Sequence, residues 1–93
     1  MVKKINNNNN ISLDELQIVE VIWVDAEELG DVGWNDRKEL LEKASEPCPV
    51  MHSVGYEVYR DKKHISIVST IGTDLCGTLE KIPISFIRSV TYK

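Results

Sequence analysis

The chain predicts a mainly β domain with one short inserted helix, and three observations carry that expectation. From His52 onward, apolar residues alternate with polar ones through short runs separated by turn residues. Those runs are rich in Val and Ile, the pattern of half-buried strands. Between the first such run and the rest stands one helical pattern, capped before it and stopped by prolines after it. A sheet of this kind must bury one face, so a small β-barrel or sandwich is expected.

Each element can be justified in order. Residues 1–11 include five consecutive asparagines. Such a run buries nothing and is expected to be a flexible leader, with a single domain over residues 12–93. Ser12 and Glu15 have capping-box spacing, which suits either one helical turn or a polar approach to the first strand. Leu16 to Val24 reads as that strand, with Val19, Val21 and Trp23 on one face and Ile18, Ile22 and Val24 on the other. Apolar on both sides, it is expected to be covered twice, by the helix or by another subunit. An acidic connection follows, containing Gly30, Gly33 and Trp34. Asn35 or Asp36 can cap a helix that runs to about Ala44, with Leu40, Leu41 and Ala44 as its apolar stripe. Pro47 and Pro49 end it.

Ser53 to Arg60 is the second strand, Asp61 to His64 a polar turn, and Ile65 to Ile71 the third strand. Gly72-Thr73-Asp74 turns the chain again, and Leu75, Gly77 and Leu79 lead into Ile82-Pro83. Val54, Tyr56, Val58, Ile65, Ile67, Leu79 and Val90 are the expected core. Pro83 lacks an amide donor and belongs at a strand end. One helical turn after it, then a last strand from Ile87 to Tyr92, fits the break in alternation. Strand, one-turn corner, strand is how SH3-like and Sm-like barrels close. The expected architecture is therefore a five-stranded SH3-like or Sm-like small barrel in the order β-α-β-β-β-β, an analogy of fold that carries no function.

Charge and cysteine usage narrow the function classes. Eleven Lys and Arg face fifteen Asp and Glu, and no basic stripe marks a phosphate-tracking surface, so nucleic acid is disfavoured as the main partner. Two cysteines make no disulfide framework, and no apolar run approaches a membrane span. A cytoplasmic protein is expected, with no membrane partner and room for a homo-oligomer.

Chemistry-bearing constellations are sparse. Cys48, His52, His64 and Cys76 have the wrong spacing for a closed zinc site, so no metal and no cofactor are expected. A Cys48–histidine nucleophile would need an orienting residue and an oxyanion-binding turn, and no sequence signal marks either, so no enzyme is expected. The carboxylates of Asp25, Glu28 and Asp31 lack the pattern of a calcium loop and read as a solvated or partner-facing surface. Trp34 stands outside any strand, either covering the sheet or anchoring an interface. Gly55 in a strand marks a bulge or a close backbone approach. The expected binding residues are Asp25, Glu28, Asp31 and Trp34, with Ser53, Gly55 and Tyr56 nearby and Arg60 and Arg88 for an anionic ligand.

The order Val21-Ile22-Trp23-Val24-Asp25-Ala26, Gly33-Trp34, a short charged helix, Ser53-Val54-Gly55-Tyr56 and Ile82-Pro83 resembles a family of small bacteriophage and prophage proteins. The resemblance spans roughly residues 18–91 and brings no catalytic or binding residue with it. The asparagine-rich N-terminus departs from the family pattern. A phage origin implies a non-enzymatic binding module in the cytoplasm of a bacterial host. It would counteract a defence system by binding an immune protein or by sequestering a small nucleotide signal. The alternatives are an Sm-like nucleic-acid binder or phage assembly protein and, least favoured, a small Cys/His enzyme.

Overall fold

The runs of β-branched residues form five strands: β1 (Gln17–Val24), β2 (Val50–Arg60), β3 (His64–Val68), β4 (Leu79–Pro83) and β5 (Ile87–Tyr92). One helix, α1 (Arg37–Lys43), lies between β1 and β2, and a single 3-10 turn (Ile84–Phe86) joins β4 to β5. The computed structural model describes residues 15–93. The expected leader and the Ser12 cap lie outside the described residues. All neighbouring strands are antiparallel and form one sheet in the order β4-β3-β2-β1-β5. A mainly β fold with one short inserted helix is thus what the described residues form.

The connection between the sheet's edges forces it to curve. β4 and β5 stand at opposite edges, yet only the Ile84–Phe86 turn separates them. In a flat sheet those edges would lie about 19 Å apart, at ~4.8 Å per strand. The few peptide units from Pro83 to Ile87 reach roughly 14 Å at most. The sheet therefore curls, and its concave face encloses Val19, Val21, Ile65, Ile67 and Ile82, with Trp23, Ile87 and Val90 packed against them. Among the described residues no helix covers this face, since α1 buries none of its residues. The expected cover of the outer face of β1 by the helix is likewise not found, and Ile18 there is 41% exposed.

Three expected core residues, Val54, Tyr56 and Leu79, are corrected by the register. Val54 and Leu79 are both more than half exposed. β2 pairs with β3 at Glu57↔Ile67 and next at Tyr59↔Ser66, which leaves an extra residue in β2. Counting by twos from the buried Val58 back to Val54 crosses that bulge, and an inserted residue moves the preceding side chains to the opposite face. Val54 and Tyr56 consequently share the outer face with Val68, and Leu79 pairs with Val68 on that same face.

The turn from Asp61 to His64 shows a local charge at work. The Asp61 carboxylate accepts the amides of Lys63 and His64 and the Tyr59 hydroxyl. The His64 and Lys63 amides hold its pKa down to about 2. A depressed folded pKa contributes stability that is complete above the unfolded carboxyl range and is lost as pH falls toward about 2. Thermal melts across acid pH should therefore fall more gently for Asp61→Asn than for the parent below about pH 4. Parallel curves would show that this turn does not contribute to acid lability.

Candidate functional site

The connection between β1 and β2 is an acidic arm. Residues 25–49 hold eight of the chain's fifteen carboxylates but only three of its eleven Lys and Arg. Asp36 caps α1, its side chain accepting the Glu39 amide at 3.2 Å. An isolated helix of seven residues is too short to be stable in water by itself. The arm's apolar groups nevertheless face solvent, with Leu41 60% and Leu29 46% exposed.

The tip of the arm is built rather than loose. Asn35 Oδ1 accepts the Asp31 amide at 2.8 Å, and Asn35 Nδ2 donates to the Asp31 carbonyl at 2.9 Å. This reciprocal pair closes a short loop with Gly33 at φ 103°, a conformation that favours glycine. Val32 and Trp34 flank that glycine, 107% and 101% exposed. Trp34 covers no end of the sheet. It stands fully in solvent beside Asp31, which was expected, and beside Val32 and Asn35, which were not. The Asp-x-Gly-x-Asn spacing was the available signal, since aspartate and asparagine bond their own loop backbone and glycine supplies the positive φ.

The other expected binding residues divide into separate places. Asp25 sits at the root of the arm, its carboxylate accepting the Ala26 amide at 2.8 Å. It lines a cleft with Arg88. Glu28 lies farther along the arm and is exposed. Ser53 accepts the Trp23 indole N–H at 3.0 Å, tying β2 to β1. Gly55 is buried against β3, and Tyr56 lies half-buried on the outer face. Arg60 ends β2 at the strand terminus opposite the arm, on the order of 30 Å from it along the strand. The structure thus brings Asp25 and Arg88 together and does not bring Arg60 to them.

Arg60 belongs to an interior cluster. Its Nη2 lies 3.2 Å from Glu57 Oε1, although Nη2 and Nε make no well-directed hydrogen bond. The contact is ionic rather than a bidentate fork. Glu57 is 3% exposed and accepts the Tyr92 hydroxyl at 2.8 Å. Burial first, and then that bond to Glu57, push the Tyr92 pKa up. Such a cluster fastens β5 to β2 across β1, and its charge is committed within the fold. On the outer face Glu20 bonds Lys93 and pairs with His52, and these two lower its pKa.

Cys48 and Cys76 are both exposed free thiols. Among the described residues no three His, Cys, Asp or Glu side chains converge as metal ligands. No helix among them is long and apolar enough to cross a membrane. Comparisons with protein-family models, with curated proteins and with solved structures each returned no match.

Proposed function

We propose that this chain is a non-enzymatic binding module that docks a basic protein surface through its acidic arm, with Trp34 as the anchor. The observation that supports this reading is the pinned loop from Asp31 to Asn35, which holds a tryptophan wholly in water. Aromatic anchors carry much of the energy of protein interfaces, and burying one contributes about 1.5–3 kcal/mol. The surrounding carboxylates would steer the arm toward cations. The same charge repels phosphate, which favours a protein over a nucleotide signal or a nucleic acid at this surface. The resemblance to phage proteins gives the partner class: an immune protein in the cytoplasm of a bacterial host. For the scaffold we propose an SH3-like or Sm-like small barrel, on the support of the strand order β4-β3-β2-β1-β5 and the one-turn corner.

Affinity purification from host lysate with the parent and with Trp34→Ala tests the reading when melting temperatures are measured in parallel. The expected result is a basic partner retained by the parent, released as salt rises and lost by the variant at an unchanged melting temperature. Retention of the same partner by Trp34→Ala, or loss of several degrees of melting temperature, would sink it.

A further inference from the structure

At the root of the arm the end of β1 and Cys48, just before β2, meet the 3-10 corner and the start of β5 and form a cleft of about 400 Å³. That volume lies in the range of small-molecule sites. Its apolar wall is Val24, Phe86 and Ile87, and polar groups come from Asp25, Ser85 and Arg88. The position of Arg88 has a specific cause. β5 pairs with β1 at Ile22↔Ser89 and next at Trp23↔Ile87, so Arg88 is the unpaired extra residue of a bulge. A bulge breaks strand alternation and re-aims the side chain it carries, here along the cleft wall. The ion pairs among the described residues use other cations, and the Arg88 guanidinium is committed to no described partner.

We propose that this cleft binds a small planar organic anion carrying an N–H donor at its far end. A guanidinium matches the two oxygens of a carboxylate or phosphate. The Phe86 ring, 36% exposed in the 3-10 turn, offers a stacking wall for a planar body. Asp25 supplies the acceptor for the N–H, since its carboxylate engages only one local amide among the bonds shown. A bare inorganic anion would use neither the Phe86 wall nor the Asp25 acceptor. An aromatic amino-carboxylate and a nucleoside phosphate share the required groups.

Amide-resolved NMR titration with 4-aminobenzoate, AMP and inorganic phosphate tests the site and separates the two sources. The expected result is saturable shifts at Asp25, Phe86 and Arg88 with at least one organic probe, the tighter probe naming the oxyanion. Arg88→Gln should weaken that probe about 10-fold, the size expected for one lost charge-assisted hydrogen bond. Phe86→Leu should weaken the organic probe and leave the response to inorganic phosphate unchanged. Melting curves matching the parent establish that both variants are folded. The proposal is overturned if neither organic probe saturates, if Arg88→Gln binds like the parent, or if inorganic phosphate binds as tightly as the organic probes.

Discussion

Ile82→Ala is expected to destabilise the domain by ~2–5 kcal/mol, while Leu79→Ala on the same strand changes stability by about half a kcal/mol or less. The contrast follows from register alone. Ile82 pairs with Ile65 on the concave face and is 1% exposed; Leu79 pairs with Val68 on the outer face and is 53% exposed. Removing Ile82 takes a buried branched side chain from the one described core cluster and leaves a cavity behind. A domain of this size has a total stability of roughly 5–10 kcal/mol, so that single change consumes much of it. Chemical denaturation of the two variants is the measurement. Equal losses would mean that the outer face is covered in solution and that Leu79 has a packing partner.

Elements whose causes are local could be read from the sequence. Asp36 as helix cap, the prolines after the helix, and the 3-10 corner between Pro83 and Ile87 all depend on residues a few positions apart. The last strand was legible because Ile87 to Tyr92 resumes alternation immediately after that corner. Features set by pairing were not legible. The extra residue between Glu57 and Tyr59 reversed the faces of Val54 and Tyr56, and Gly55, the residue of β2 that could signal a bulge, marks the close approach to Val68 instead. The bulge that singles out Arg88 is equally invisible without β1 beside it. Trp34 was undecidable for the same reason, because whether an aromatic packs or projects depends on where the rest of the sheet lies. The carboxylates around it were legible as a charged surface. The bonds from Asn35 that fix its tip were not drawn from the spacing, although Asp31, Gly33 and Asn35 supplied it.

Gly55→Ala should also be destabilising, against the usual sign of such a change. Replacing a glycine with alanine in ordinary strand backbone stabilises by about 0.4–1 kcal/mol, because the unfolded chain loses freedom. Gly55 does not need the left-handed region, so that gain applies to it in principle. Space decides otherwise. A Cβ at this position would stand 2.7 Å from the Val68 carbonyl oxygen and 3.4 Å from the Ile67 Cβ. The oxygen is backbone of β3, paired to β2 on one side and β4 on the other, so it cannot rotate away as a side-chain end would. β2 and β3 must part, and overpacking of this kind costs about 1–3 kcal/mol. The clash therefore outweighs the entropic gain, and Gly55→Val should be worse than Gly55→Ala. Denaturation midpoints for the two variants check the order. Stability equal to or above the parent for Gly55→Ala would remove the close approach as the reason for glycine. If such a stable variant also lost its protein partner, Gly55 would instead belong to the contact surface.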